Sequence, residues 1–296
     1  MHAMNVAVID VGSNTIRMLV ARREGDVLVP VAQRRARVGL GADVERNGRI
    51  SGAKLREAAE RVRAYADEAR RLGSARTVVV AASPGRQAAN AGELIRLLAQ
   101  AGRVAVRVLS PEEEGALAFD GALAAIRPPE GLVAVCDVGG GSTQLAVGTR
   151  DAGPVWIRSI DIGSLRLTTR SLPNDPPGKK AMTAARAVVA AEFAGLAPPL
   201  PASTYAVGGS ARALAKIWGP VLGSEELREA LRLLQKRPSG DVAKDVAVAP
   251  ARASMLAAGA LILAEVQTRL GTPLQVVRAG LREGVALSLL AEASAA

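Results

Sequence analysis

A chain of 296 residues is long enough for two domains, each with its own core. Its apolar content of 49% excludes wholesale disorder, while 2% aromatics leave few stacking platforms and argue against single-stranded nucleic-acid readout. A formal charge of +10, carried by 32 arginines and six lysines, favours polyanionic partners.

The single histidine, His2, precedes Met4, so neither a histidine triad nor a histidine-ligated metal site is expected. The single cysteine, Cys136, lies within an apolar run and reads as core. Any catalysis then has carboxylates, hydroxyls and arginines to draw on, with or without an oxygen-ligated metal. Asp10, Asn14 and Arg17 interrupt the first apolar run, and the longest, around 253–264, is too short to span a bilayer. A cytoplasmic protein with no membrane partner is expected.

In chain order, Val6–Ile9 reads as a strand ending at Asp10, followed by the turn Val11-Gly12-Ser13-Asn14-Thr15 and a return strand, 16–21. Residues 27–38 supply a third strand, and 39–43 (Gly-Leu-Gly-Ala-Asp) read as a loop. Ser51 caps a helix over 52–72. A strand over 77–81 leads to the turn Ser83-Pro84-Gly85-Arg86, a helix over 87–100 and a strand over 104–109. Ser110 and Pro111 then open a helix whose first turn is Glu112-Glu113-Glu114 and which ends near Ile126. Residues 127–131 form a linker.

The second half repeats the order. Val133-Ala134-Val135-Cys136-Asp137-Val138-Gly139 matches Val6-Ala7-Val8-Ile9-Asp10-Val11-Gly12 at six of seven positions, at an offset of 127 residues. Gly139, Gly140 and Gly141 remove every Cβ from the second turn, so backbone N–H groups can approach an anion, and Ser142 and Thr143 add hydroxyls. A third strand over 155–160 leads through Asp161–Ser164 into a short helix. Residues 171–180 read as a mobile loop, and 182–194 as a helix. A strand over 204–207 ends in Gly208-Gly209-Ser210, a further anion-site candidate at a helix start. A helix over 224–236, an irregular stretch over 238–250, a long helix over 251–270, a strand over 274–277 and a helix over 281–293 complete the chain. The pattern predicts an α/β fold of two halves, 1–127 and 128–296, with a cleft between them. The last helix can pack back on the first half.

These stretches together resemble the exopolyphosphatase/guanosine pentaphosphate phosphatase family. That family belongs to the superfamily of actin, heat-shock-70 proteins and sugar kinases, built from two ribonuclease-H-like domains (the actin-like ATPase fold). The matches are Asp10–Arg17, Ala82–Asn90, Leu109–Glu114, Asp137–Thr143, Asp161–Thr168 and Gly280–Gly284. They cover nearly the whole chain. The resemblance implies metal-dependent hydrolysis of the terminal phosphate of inorganic polyphosphate, with guanosine pentaphosphate as the alternative substrate. It makes Glu114 the general base, with Glu113 as the second candidate; a helix N-terminus favours an ionised carboxylate. It gives Asp10 and Asp137 to Mg²⁺ or Mn²⁺, facing each other across the cleft. Phosphate binding falls to Gly12, Ser13, Asn14, Thr15, Arg17, Ser83, Arg86, Gly139, Gly140, Gly141, Ser142, Thr143 and Gly208–Ser210. Arg166 and Arg282 serve either phosphate or a structural ion pair. A homodimer is common in the family.

Two positions depart from the family pattern. Gln144 stands where an acidic residue usually follows the glycine turn, and Ser254 where Asp usually ends an Arg-Ala-Asp segment. Gln144 motivates an alternative of another class, a polyphosphate- or nucleotide-binding regulator of low activity. A sugar or acyl kinase on the same fold is disfavoured by the triple-Glu turn, Ser83–Asn90 and the Gly-Leu-Arg-Glu-Gly segment.

Overall fold

The computed structural model describes residues 4–128 and 130–294. His2, and Pro129 of the predicted linker, lie outside the described residues. The chain divides into two compact units, Met1–Ala125 with Leu281–Ala296, and Ile126–Gly280.

The first unit runs β1 (Asn5–Val11), β2 (Thr15–Glu24), β3 (Val27–Arg37), α1 (Leu40–Asn47), α2 (Gly52–Arg71), β4 (Ser74–Ala81), α3 (Ser83–Gln87), α4 (Ala91–Gly102), β5 (Ala105–Val108) and α5 (Pro111–Leu123). Its sheet has the order β3-β2-β1-β4-β5. The first three strands pair antiparallel, and β4 and β5 join parallel to β1. Alternation along β1 places Ala7, Ile9 and Val11 against α2 and α4, and Val6 and Val8 in the core of the other face.

The second unit runs β6 (Val133–Val138), β7 (Thr143–Thr149), β8 (Gly153–Ile160), α6 (Ser164–Ser171), α7 (Gly178–Glu192), β9 (Ser203–Val207), α8 (Gly209–Trp218), β10 (Val221–Leu222), α9 (Ser224–Lys236), α10 (Ser239–Asp245), α11 (Pro250–Ala253), α12 (Leu256–Leu270) and β11 (Leu274–Val276). Its sheet order is β10-β11-β9-β6-β7-β8. Read from β8, the order β8-β7-β6-β9-β11 repeats that of the first unit, with β10 added at the edge. The repeated sequence string therefore marks a repeated topology.

The last helix, α13 (Leu281–Ser294), belongs to the first unit. Leu281, Val285, Ala286 and Leu290 cover Val6, Val8 and Leu19. A Cβ at Gly284 would sit 1.9 Å from the Leu117 carbonyl oxygen, so glycine is what lets α13 lie on α5. The second unit thus ends at Gly280, and the 128–296 range read from sequence contracts to Ile126–Gly280.

Five local readings change. The turn read at Ser83–Arg86 is the short helix α3, and the helix expected over 87–100 starts only at Ala91, in α4. Residues 40–47 form α1 rather than a loop, because Leu40 is fully buried and Gly39 supplies the left-handed N-cap, φ 75°. The single helix expected over 251–270 is two, α11 and α12, with Ser254 and Met255 between them. The stretch read as irregular contains α10. The loop expected to be mobile is tied: Asp175 accepts hydrogen bonds from the Ser239 N–H (2.8 Å) and hydroxyl (2.7 Å). Among the described residues, no helix is long and apolar enough to cross a membrane.

Candidate functional site

Both glycine turns are built alike. The Gly12 N–H donates to Thr15 O at 3.1 Å, and the Gly139 N–H donates to Ser142 O at 3.0 Å, at equivalent positions of the repeat. The carbonyls of each turn are then held from outside it. Ser13 O accepts from the Gly41 N–H, and Asn14 O from those of Val38 and Gly39. In the second unit Gly139 O accepts from the Ser164 N–H, and Gly140 O from those of Leu165 and Arg166 at the start of α6. With the carbonyls engaged, the turns present their amides. No described residue accepts a hydrogen bond from the N–H of Ser13, Asn14, Gly140 or Gly141. Such open donors in a turn form an anion cradle. Of the segments that impose this polarity, Val38–Gly41 carries no sequence signal for binding, whereas the first turn of α6 lies within the matched stretch Asp161–Thr168.

In the first unit the site residues lie at one edge of the sheet. Asp10 is the penultimate residue of β1, Arg86 lies in α3 directly after β4, and Glu114 lies in α5 directly after β5. These three strands are parallel, so all three groups sit at strand carboxyl ends, where α/β sheets bind ligands. Arg86 is half-buried and donates through Nη2 to Glu114 Oε2 (2.8 Å) and through Nη1 to Leu109 O (2.7 Å). Glu114 is buried. Glu113 has a different task. It closes a capping box with Ser110 and pairs with Arg107 at 2.7 Å. The Ser110 backbone N–H, then Arg107, hold its carboxyl below the usual range. Geometry therefore separates the two glutamates, leaving Glu114 as the inward-facing one.

Asp10 is buried, and desolvation raises its carboxyl above the ordinary value, opposed by Arg17 and Arg282 and reinforced by Glu283. Arg17 lies directly across from Asp10 on β2 and donates through Nε to Thr15 Oγ1 at 3.1 Å. The Gly-Leu-Arg-Glu-Gly segment therefore acts here twice, through charge at Asp10 and through packing at Gly284. Ser83 donates its hydroxyl to Gln87 Oε1 at 2.5 Å, which engages it within α3. Asn14 Oδ1 is buried and makes no hydrogen bond within the described residues.

In the second unit Asp137 and Gln144 face each other across β6 and β7. Gln144 is the repeat counterpart of Arg17. It is buried, and its amide nitrogen donates to Ser142 Oγ (2.9 Å) and Ser159 Oγ (3.2 Å). Three sequence-read phosphate ligands are placed otherwise. Thr143 is fully buried and donates its hydroxyl to Ile162 O at 2.6 Å, so it fixes the turn instead of offering a donor. Arg166 is held by Asp161, at 2.7 Å to its carbonyl and 3.3 Å to its carboxylate. Ser210 is sealed against Gly259, where a Cβ would come within 2.5 Å of its Oγ. Gly208 and Gly209 remain beside the chemistry. At Gly208 φ is +94°, and a Cβ there would lie 2.7 Å from Asp137 Oδ1. At Gly209 a Cβ would meet the Arg252 guanidinium at 2.5 Å. Arg252 is buried; it opens the segment in which Ser254 replaces the family's usual Asp, and the sequence reading gives it no ligand role of its own.

The sequence model of the Ppx/GppA phosphatase family matches residues 19–293. The chain belongs to the Ppx/GppA phosphatase family. Exopolyphosphatase 1 of Mycobacterium tuberculosis is 27% identical over 305 residues, covering 97% of this chain and 88% of that protein. The Aquifex aeolicus Ppx/GppA family member is 26% identical, with a TM-score of 0.83 over 98% of both chains. An exopolyphosphatase from Cytophaga hutchinsonii has the same fold, with a TM-score of 0.89 at 19% identity over 98% of both chains. The Ppx/GppA fold is the two-domain, actin-like α/β arrangement expected from the sequence, and the family's members are phosphoanhydride hydrolases.

The donor set suits an oxygen-ligated divalent cation. Among the described residues no group of three His, Cys, Asp or Glu is arranged to hold a metal. Mg²⁺ does not require one, because it keeps several waters and binds through one or two carboxylates plus substrate phosphates. Asp10 is a desolvated carboxylate, and Asp137 Oδ1 lies where a Cβ on Gly208 would stand 2.7 Å from it.

Proposed function

We propose that this Ppx/GppA member is an exopolyphosphatase that removes the terminal phosphate from inorganic polyphosphate. The observation that carries the substrate choice is the fate of the aromatics. Phe119, Phe193, Tyr65 and Tyr205 are buried, and Trp156 and Trp218 pack on the second unit's core. Only the two partly buried tryptophans keep any exposed ring, and Arg158 already sits over the Trp156 ring, 5.4 Å from its centroid; few faces are left to stack a guanine, whereas open amides and arginines suit a chain of phosphates without a base.

In the reaction, water attacks the terminal phosphorus. Its oxygen forms the new P–O bond, the bond to the bridging oxygen breaks, and the chain leaves one phosphate shorter. Glu114, held by Arg86, takes the proton from the attacking water. The turn amides and Arg17 hold the phosphate oxygens as charge redistributes. Asp10 and Asp137 are each ligands for Mg²⁺ or Mn²⁺, which when bound offsets negative charge on the phosphates.

The test is phosphate release with Mg²⁺ from long-chain polyphosphate, guanosine pentaphosphate and ATP at equal terminal-phosphate concentration. Release mainly from polyphosphate is expected. Preferred release from guanosine pentaphosphate would overturn the substrate assignment. Binding of polyphosphate without any release would favour the regulator.

A further inference from the structure

The two repeats differ along one row of residues. In the second unit the row across the sheet is Ser159–Gln144–Asp137, and the Gln144 amide donates neutral hydrogen bonds to Ser159 within the row and to Ser142 beside it. In the first unit the register places Arg35 opposite Arg17, and Arg17 opposite Asp10. Directly paired residues project from the same face of a sheet. The corresponding row is therefore Arg35–Arg17–Asp10, with two cations where the sister repeat has none.

Resting on the exopolyphosphatase reading, we propose that Arg35 forms a second phosphate subsite, joined through Arg17 to the terminal-phosphate site, which grips the polyphosphate chain behind its terminal residue. Four observations support it. Arg35 reaches solvent, and no described residue forms a hydrogen bond or ion pair with its guanidinium. Desolvation, then the like charges of Arg17 and Arg282, hold Arg35 below the ordinary arginine value. That crowding of three cations is relieved when an anion binds. The direction of the chain follows from strand order. Arg86 and Glu114 follow β4 and β5, on one side of Asp10, while Arg35 lies on β3, on the other. Arg35 is two strand spacings, about 10 Å, from Asp10. A terminal phosphate at Glu114 thus leaves the rest of the chain to run along Arg17 toward Arg35.

The experiment compares Arg35→Gln with Arg34→Gln. Arg34 points to the opposite face of β3 and pairs with Glu68 at 2.6 Å, so it removes the same charge without touching the row. For each variant, kcat/KM is measured with long-chain polyphosphate and with tripolyphosphate at low and high salt. Arg35→Gln should lower the ratio of long-chain to short-chain kcat/KM by about tenfold at low salt, through KM, and by less at high salt. Arg34→Gln should leave that ratio in place, and Arg35→Lys should restore part of it. If Arg35→Gln and Arg34→Gln give the same ratio while the unmodified protein cleaves polyphosphate, the subsite is refuted and the exopolyphosphatase reading stands. If the unmodified protein neither cleaves nor binds polyphosphate, both fall together.

Discussion

Removing either partner of the Arg86–Glu114 pair should separate the structural from the chemical part of the site. The two side chains are 17% and 9% exposed, so water screens their 2.8 Å contact little. Arg86→Met keeps the aliphatic stem but removes two charge-assisted hydrogen bonds, to Glu114 and to Leu109 O. Loss of one partner from a buried pair costs about 3–5 kcal/mol, and this pair's partial exposure puts the expectation near 3 kcal/mol. Glu114→Gln still offers an amide oxygen to Arg86, so about 1–2 kcal/mol is expected. Its effect on turnover should be far larger, about 10²–10⁴-fold, because an amide cannot take the water proton. The double variant should fall short of the sum of the single losses by about 1–2 kcal/mol. Urea denaturation measures the stability terms, and phosphate release from polyphosphate measures turnover. Glu113→Gln is the control, with a cost of about 0.5–1 kcal/mol from the exposed capping box and turnover retained. If Glu114→Gln keeps full turnover while Glu113→Gln loses it, the assignment of the base is wrong.

Glu113 also sets a pH dependence. Its folded carboxyl titrates below the ordinary glutamate value, so its stabilising contribution is present above about pH 4.5 and is lost as pH falls through the lowered folded value. Glu113→Gln should therefore narrow its stability deficit as the pH is lowered through that window, and a deficit independent of pH would contradict this. Gly208→Ala should lower turnover at least about tenfold by displacing Asp137, beyond the backbone strain at φ +94°. Gly271→Ala, at φ +72° with open space around it, should cost stability alone; equal turnover in the two variants would remove the steric argument. Phosphate release should stop in excess chelator and return with Mg²⁺ or Mn²⁺, and full activity in chelator would refute the carboxylate–metal reading. Gln144→Glu should cost about 1–3 kcal/mol by burying a carboxylate that cannot donate to Ser142 and Ser159. It should also lower the metal concentration needed for half-maximal activity; an unchanged requirement would show that position 144 does not tune the metal.

Sequence alone determined the features whose causes are local. Asp10 and Asp137 stand out because apolar strands end at each and glycine turns follow, and the string itself recurs. Ser51 and Ser110 announced their helices because caps act on the next three residues. The α/β class followed from alternating periodicities. What depended on partners distant in the chain was not legible. The resemblance ranks Glu114 above Glu113, but nothing in the run of three glutamates itself shows which one turns inward; Arg86, 28 residues earlier, distinguishes Glu114. Thr143 and Ser210 look like phosphate ligands until the Ile162 carbonyl and Gly259 enclose their hydroxyls. Gly39–Gly41 looks like a loop until burial of Leu40 makes it a helix start that orients the first turn. The row Arg35–Arg17–Asp10 exists only through strand register. Periodicity and capping are short-range and are written in neighbouring residues. Burial, register and the polarity of a turn are set by whatever the fold brings against them, and only the tertiary structure supplies that.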